Sequence, residues 1–216
     1  MGKKAARSND AASLRSKSDR MNLPNKLTLS RFFLTVGFLA VMFSEMSFHK
    51  TISLALFIAA GVSDFLDGQI ARRRKLITNF GILMDPLADK IMVCSAFIAF
   101  VGLQWIPAWM VVVVVARELA ITGLRLLAAS KNVVLAAEGY GKHKTISQIV
   151  AIIALLVLHG YPEWGSAGQA IFGWHIANKP WIAWFTEVSL WVAVALTFIS
   201  GWLYLWKNRS LYLQDL

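Results

Sequence analysis

Long apolar segments alternate with short polar segments along most of the chain. Six of them have the length of candidate membrane spans: residues 27–43, 51–71, 82–103, 107–129, 145–158 and 181–206. A helix needs about 20 apolar residues to cross the hydrocarbon core of a bilayer, so the fifth segment is short unless its helix begins at Lys142. The pattern predicts an all-α, polytopic integral membrane protein with six transmembrane helices.

The composition agrees with a membrane protein. Of 216 residues, 57% are hydrophobic and only 16% are charged, and the mean hydropathy is +0.56. The formal net charge of +10 could indicate a nucleic-acid partner. However, the basic residues lie at the ends of the apolar segments, as membrane topology requires. We therefore expect a membrane-embedded protein with no nucleic-acid partner.

The distribution of basic residues predicts the orientation in the membrane. Of the 22 Lys and Arg residues, 17 lie in connections that fall on one side of a six-span bundle: residues 3–31, 72–75, 131–144 and 207–209. The connections on the opposite side carry only Lys50 and Lys179. Because cytoplasmic loops are enriched in Lys and Arg, both termini are predicted to be cytosolic, in the inner (cytoplasmic) membrane of the cell.

The amino-terminal region predicts two different elements. Residues 1–20 are polar and basic and lack the apolar core of a signal peptide, so we expect a disordered cytosolic extension before one membrane domain, residues 21–216. Pro24 can open a helix at its first turn, and the stretch after it is amphipathic. This stretch predicts an N-terminal interfacial amphipathic segment that precedes the first span.

Carboxylates interrupt the second and third apolar segments. They are Asp64, Asp67, Asp85 and Asp89. Residues three or four apart share a helix face, so each pair should point in one direction. One unpaired Asp near mid-bilayer costs about 2.5–3.5 kcal/mol, and no comparably placed lysines offset these four. Clustered carboxylates indicate a divalent cation, and ligation by oxygen alone favours Mg²⁺ or Mn²⁺.

The depth of these aspartates follows from the predicted topology. If the second span leaves the membrane at Arg72, Asp64 lies about 12 Å and Asp67 about 7 Å inside it, at the rise of an α-helix. The third span re-enters shortly afterwards, so the second pair has a similar depth. The site is therefore predicted to be shallow, to face the cytosol and to be accessible to lipid headgroups.

The stretch 64–89 reads D-x-x-D-G-x-x-A-R-x8-G-x-x-x-D-x-x-x-D. It resembles the signature of the CDP-alcohol phosphotransferase family, membrane enzymes that exchange the CMP of a CDP-linked lipid for an alcohol. The resemblance implies a homodimer and two Mg²⁺ or Mn²⁺ ions per site, held by the four aspartates. It also implies that Asp89 is the catalytic base, a role that the sequence does not separate from that of ligand.

The same resemblance assigns residues to the site of the CDP-lipid. They are Asn25, Thr28, Arg31, Gly68, Ala71, Arg72 and Gly81. The first three also fit a different interpretation, in which the segment is an interfacial anchor and Arg31 extends to the headgroups.

A second set of polar residues follows in the fourth span and at the start of the fifth. Its members are Arg117, Arg125, Lys142, Lys144 and Thr145. The two arginines are eight residues apart, which places them within about 80° on a helix. Arg and Lys inside a span must face a polar cavity, and a phosphate is their natural ligand. The alternative is that Arg117 pairs with Glu118 or a motif aspartate and that Arg125 extends to the interface.

This basic set resembles the branch of the family that acts on glycerol 3-phosphate. The resemblance implies transfer of the phosphatidyl group from CDP-diacylglycerol to glycerol 3-phosphate, giving phosphatidylglycerol phosphate and CMP. Arg117, Arg125, Lys142, Lys144 and Thr145 would then bind the acceptor phosphate. Related branches, which make cardiolipin, phosphatidylinositol phosphate or phosphatidylserine, are alternatives.

Two other functions use carboxylates inside a membrane. A UbiA-type prenyltransferase also holds a diphosphate with magnesium and Asp-rich motifs, but those motifs lie on more widely separated helices. A cation transporter would place carboxylates near mid-membrane and would have no nucleotide site. The tight two-helix pattern disfavours the prenyltransferase, and the predicted shallow depth together with the element Asn25–Arg31 disfavours the transporter.

Overall fold

The computed structural model describes the backbone of residues 23–74, 79–131, 133, 135 and 140–213. Side chains are described at residues 30–63, 90–131, 133, 135 and 143–213. The predicted disordered extension, residues 1–20, lies outside the described residues.

Six long helices occupy the six predicted apolar segments. They are α1 (Leu23–Met42), α2 (His49–Arg74), α3 (Asn79–Gly102), α4 (Ala108–Ser130), α5 (Tyr140–Gly160) and α7 (Trp181–Lys207). The fifth helix begins at Tyr140, before Lys142, which gives it the length that its apolar segment lacks. The all-α prediction is confirmed for the described part of the chain, apart from one very small hairpin.

The first helix runs without a break from Leu23 to Met42. Pro24 is its second residue, a position where the missing backbone N–H is not needed by the helix. The segment that predicted an interfacial element therefore continues directly into the first apolar segment.

The connection between α5 and α7 contains four short elements. They are a 3₁₀ helix (Tyr161–Trp164), α6 (Gly165–Phe172), β1 (His175–Ile176) and β2 (Lys179–Pro180). The two strands pair antiparallel through a two-residue turn, in which Ala177 and Asn178 both have positive φ angles. This conformation matches the twist of a hairpin, and Asn adopts it more readily than most residues. A last short helix, α8 (Ser210–Leu213), follows α7.

Two helical stretches are long and apolar enough to cross a membrane among the described residues, His143–Phe172 and Trp181–Lys207. Three shorter apolar helical stretches accompany them: Ser30–Met42, His49–Ser63 and Lys90–Gly102. Large apolar side chains on the outer faces of the bundle are exposed, among them Phe33, Val36, Leu119 and Leu126. Such an apolar exterior is consistent with a surface in contact with lipid. The protein is thus an all-α membrane protein.

Side chains from all six long helices form the larger of two apolar clusters in the described part of the chain. Its largest fully buried members include Phe38, Met42, Phe100, Ile152 and Leu155. Fully buried alanines lie on three of the helices: Ala96, Ala151 and Ala193. Small residues let helix backbones approach closely, which is how helices gain packing energy inside lipid. Helix α1 packs against α2 and α3, α5 packs against α2 and α7, and α4 packs against α3 and α7.

The amino end of α2 is capped by a residue that is distant in sequence. The carboxylate of Glu163 accepts hydrogen bonds from the backbone N–H groups of Lys50 (3.3 Å) and Thr51 (3.0 Å) and from the Thr51 hydroxyl (2.6 Å). The Trp164 indole donates to the same hydroxyl at 2.8 Å. The first N–H groups of a helix lack partners within it, and a negative charge is favourable there. This contact joins the start of α2 to the 3₁₀ helix that follows α5.

We predict that Glu163→Gln lowers the stability of the purified protein in detergent by about 1 kcal/mol, because the neutral amide loses the charge at the helix end. The change is measured as a lower midpoint of thermal unfolding. Glu187→Gln is the matched control, since its carboxylate is half-exposed and lies 3.7 Å from Lys179 in a surface ion pair. Equal losses for both variants would contradict the capping role.

Candidate functional site

The four motif aspartates lie on two consecutive helices. Asp64 and Asp67 are in the carboxyl-terminal half of α2, and Asp85 and Asp89 are in the first half of α3. The helical backbone that their spacing predicts is therefore confirmed. Their side chains lie outside the described residues, so the four-aspartate metal site stays a prediction. The described side chains contain no other cluster of three or more acidic, His or Cys residues that could hold a metal ion.

The predicted CDP-lipid residues lie on three helices. Asn25 and Thr28 are on α1, Gly68, Ala71 and Arg72 are on α2, and Gly81 is on α3. These six positions have helical backbone, and their side chains lie outside the described residues.

Arg31 on α1 is the member of this set whose side chain is described. Only 5% of its surface is exposed. One turn further, the Thr35 hydroxyl donates to the Arg31 carbonyl oxygen at 2.8 Å and lies 3.1 Å from the Met92 sulfur on α3. A side chain that extends to the headgroups would be exposed, so the burial of Arg31 favours a location inside the protein. Its contact with a nucleotide stays a prediction.

A buried ion pair links α4 and α5. Glu118 is 7% exposed and Lys144 is 5% exposed, and the Lys144 ammonium donates to Oε1 of Glu118. The same oxygen lies 3.4 Å from Nη1 of Arg117. A buried carboxylate is stable only when it is paired, and here it is paired with two cations. The structure thus brings together two of the predicted acceptor residues, Arg117 and Lys144, on an acidic residue that was not among them.

Helix α3 joins the same group through Lys90, the residue after Asp89. The Lys90 ammonium donates to the Thr122 hydroxyl, which in turn donates to the Glu118 carbonyl oxygen at 2.7 Å. We call Lys90, Arg117, Glu118, Thr122 and Lys144 the cationic cluster. It contains three cations and one carboxylate, a net charge of +2 for these described residues. Lys144 is buried and Lys90 and Arg117 are partly buried, and an excess of positive charge on such side chains favours an anion nearby.

Arg117 is held between two helices and keeps an unused donor. Its Nε is buried and has no hydrogen-bond partner among the described residues. Its stem crosses Gly201 on α7 so closely that a Cβ atom at Gly201 would lie 2.7 Å from the Arg117 Cγ. A cavity of about 300 Å³ between α4 and α7 borders Arg117 and is otherwise lined by apolar residues. A buried N–H without a hydrogen-bond partner is costly, and a ligand that accepts a hydrogen bond from it would remove this cost.

The other predicted acceptor residues are placed differently. The Arg125 guanidinium lies over the Tyr204 ring, 5.7 Å from its centroid, and Nε donates to the Tyr204 hydroxyl at 3.4 Å. Thr145 is exposed, and the Lys142 side chain lies outside the described residues. Arg125 therefore contacts α7 through Tyr204 and is not paired with Glu118. Phosphate binding by all five residues stays a prediction.

Sequence reasoning did not use Lys90, Thr122 or Gly201. Lys90 carries a signal, because a lysine inside a span and next to Asp89 needs a polar partner, so the expectation that no lysine lies comparably close to the aspartates was wrong. Thr122 lies four residues after Glu118, so a hydroxyl on the same helix face was a candidate partner. Gly201 carries no signal in one sequence, since its role depends on the approach of a different helix.

Comparison with known proteins identifies the family. A profile of the CDP-alcohol phosphatidyltransferase family matches residues 21–199. A protein of Bacillus subtilis named CDP-diacylglycerol–glycerol-3-phosphate 3-phosphatidyltransferase is 41% identical over 199 residues, which cover 87% of this chain and 95% of that protein. Proteins of the same name from Mycoplasma pneumoniae and Cereibacter sphaeroides are each 34% identical, over 76% and 90% of this chain and 82% and 98% of their own lengths. The chain therefore belongs to the CDP-alcohol phosphatidyltransferase family.

Proposed function

We propose that this protein transfers the phosphatidyl group of CDP-diacylglycerol to glycerol 3-phosphate in phospholipid biosynthesis. The products are phosphatidylglycerol phosphate and CMP. The names of the relatives, which match over most of their own length, support this substrate pair. The structural observation that carries the proposal is the cationic cluster, whose Lys90 directly follows Asp89 of the motif. An excess of positive charge beside an aspartate motif suits a reaction between two phosphate-bearing substrates.

The proposed setting is the inner membrane, with six transmembrane helices and with both termini and the active site on the cytosolic side. The bias of basic residues toward one set of connections supports this orientation. It gives glycerol 3-phosphate, which is water-soluble, access from the cytosol, while the lipid substrate enters from the bilayer. The proposed assembly is a homodimer.

The proposed cofactor is Mg²⁺ or Mn²⁺, with two ions per site. Asp64, Asp67 and Asp85 are the proposed ligands, with Asp89 as a further ligand. Four carboxylates on two helices form a donor set of oxygen atoms alone, which suits these hard cations. When bound, the ions supply neutralisation of the diphosphate and of the departing CMP.

In the proposed reaction, Asp89 accepts the proton from a hydroxyl group of glycerol 3-phosphate. That oxygen forms a bond to the phosphorus atom that carries diacylglycerol. The bond from this phosphorus to the oxygen bridging to CMP breaks, and CMP leaves with the bonding electrons. Arg117, Arg125, Lys142 and Lys144 hold the phosphate of the acceptor, because Arg and Lys form charge-assisted hydrogen bonds to phosphate oxygens.

We predict that purified protein in detergent releases CMP from CDP-diacylglycerol only when glycerol 3-phosphate and Mg²⁺ or Mn²⁺ are both present. EDTA should abolish the release and excess metal should restore it, since four clustered carboxylates repel one another without a cation. Serine, inositol phosphate and phosphatidylglycerol serve as control acceptors. Full turnover in metal-free buffer would contradict the metal proposal. Faster CMP release with a control acceptor than with glycerol 3-phosphate would contradict the acceptor proposal.

Asp64→Asn, Asp67→Asn and Asp85→Asn are each expected to lower kcat by about a hundredfold or more, because the amide keeps the shape of the side chain but not the charge of the ligand. The rate of CMP release measures the loss, and the amount of protein in the membrane fraction checks insertion. The control variant Glu187→Gln, in the first half of α7 and outside the proposed site, should keep the normal rate. A normal rate for one of the three aspartate variants would remove that residue from the ligand set.

For the acceptor, Arg125→Ala or Lys142→Ala should raise the KM for glycerol 3-phosphate by about ten- to a hundredfold, the effect of losing one charge-assisted hydrogen bond. The KM for CDP-diacylglycerol should stay nearly constant. Arg209→Ala is the matched control for Arg125, because the Arg209 guanidinium also lies over an aromatic ring of α7, 4.9 Å from the centroid of Trp206. Equal increases in both KM values would instead place the residue at the diphosphate.

A further inference from the structure

Glu118 is an acidic residue at the centre of a site that is proposed to bind anions. Its carboxylate is buried, and one of its oxygens contacts Lys144 on α5 and Arg117 on α4. A negative charge in this position opposes the binding of a phosphate by direct repulsion. Glu118 must therefore make a contribution to the site that outweighs its repulsion of the phosphate.

Lys144 needs an external partner to keep its position. It is the fifth residue of α5, close to the helix amino terminus, where the helix dipole disfavours a positive charge. Its side chain is 6% exposed, so water does not solvate the ammonium group. A long, flexible lysine side chain has many rotamers, and the contact with Glu118 selects one of them. Glu118 thus compensates the burial of Lys144 and fixes its direction.

Arg117 is fixed at two points. Gly201 leaves room for its stem on α7, and Glu118 contacts Nη1 at 3.4 Å. A guanidinium has five N–H donors in a rigid fork, and a contact at one nitrogen leaves the others free to face a ligand. The buried Nε, which has no hydrogen-bond partner in the described part of the chain, is one such donor.

The pairing does not neutralise the cluster. One carboxylate is set against the three cations Lys90, Arg117 and Lys144, so the described cluster keeps a charge of +2. The Thr122 hydroxyl also connects the backbone of Glu118 to Lys90, which fixes α3 against α4 at the residue after Asp89. Glu118 can therefore order the cations while the site remains attractive to an anion.

We propose that Glu118 is a positioning residue that holds Arg117 and Lys144 in the orientation in which they bind the phosphate of the acceptor. This inference rests on the proposed function and extends it to a residue that does not touch the substrate. Gly201 belongs to the same arrangement, because it permits the close passage of the Arg117 stem.

The sign of one kinetic effect separates this role from simple charge balance. If Glu118 acts only through its negative charge, Glu118→Gln removes a repulsion and lowers the KM for glycerol 3-phosphate. If Glu118 positions the cations, the same change releases Lys144 and Arg117 and raises that KM. A general structural defect would change the KM values of both substrates and kcat together.

The experiment measures CMP release by full-length protein in detergent, with glycerol 3-phosphate and CDP-diacylglycerol varied in turn. For Glu118→Gln we expect the KM for glycerol 3-phosphate to rise about tenfold or more, with kcat and the KM for CDP-diacylglycerol within about threefold of normal. Glu118→Asp keeps the charge and should show a smaller rise. Glu187→Gln changes a half-exposed carboxylate that lies 3.7 Å from Lys179; it is the matched control and should show no rise.

A second pair of variants does not break the buried ion pair, which matters because loss of one partner of such a pair can prevent folding. Gly201→Ala places a methyl group against the Arg117 stem and should also raise the KM for glycerol 3-phosphate selectively. Gly123→Ala on α4 is its control, because a Cβ atom there meets no other group within 4 Å. If Glu118→Gln is not recovered folded, Glu118→Asp and Gly201→Ala decide the outcome.

A lower or unchanged KM for glycerol 3-phosphate in the folded variants overturns the positioning role. Equal changes for both substrates also overturn it. The unchanged protein is measured first in the same assay. If it does not use glycerol 3-phosphate, the proposed function fails, whereas normal use of this acceptor together with insensitivity to Glu118→Gln and Gly201→Ala defeats the positioning role alone.

Discussion

Charge inside an apolar bundle must be compensated by the protein itself, and this constraint organises the polar interior. Lys144 and Arg117 meet Glu118, and Lys90 meets Thr122. Most of these contacts join different helices. A contact that joins two helices also fixes how those helices pack against each other. The groups that suit the proposed chemistry therefore also help to hold the fold together.

The positions of the long helices could be predicted from the sequence because each apolar segment has to satisfy its backbone hydrogen bonds internally. The start of α5 at Tyr140 follows the same rule, since the apolar residues alone are too few for a span. The short hairpin before α7 could not be predicted. It depends on positive φ angles at Ala177 and Asn178, and alanine gives no indication of that conformation.

Some features of the candidate site could likewise be predicted from the sequence, and others could not. The motif spacing was sufficient to place the aspartates on two helices, because helical periodicity is a local property. The adjacency of Arg117 and Glu118 likewise raised their pairing as an alternative. The contact of Glu118 with Lys144 joins residues 26 positions apart on different helices, and it depends on how α4 and α5 pack. No spacing rule relates such residues, which is why the centre of the cationic cluster was found only in three dimensions.

The cap on α2 has a mechanical consequence. Helix α2 is continuous from His49 to Arg74. Glu163 therefore binds the amino end of the same helix that carries Asp64 and Asp67. Fifteen residues of α-helix separate His49 from Asp64, about 22 Å along the axis. An inserted residue between them would advance the aspartates by about 1.5 Å and rotate them by about 100°. The direction in which Asp64 and Asp67 point from α2 therefore depends on the contact that fixes the other end of the same helix.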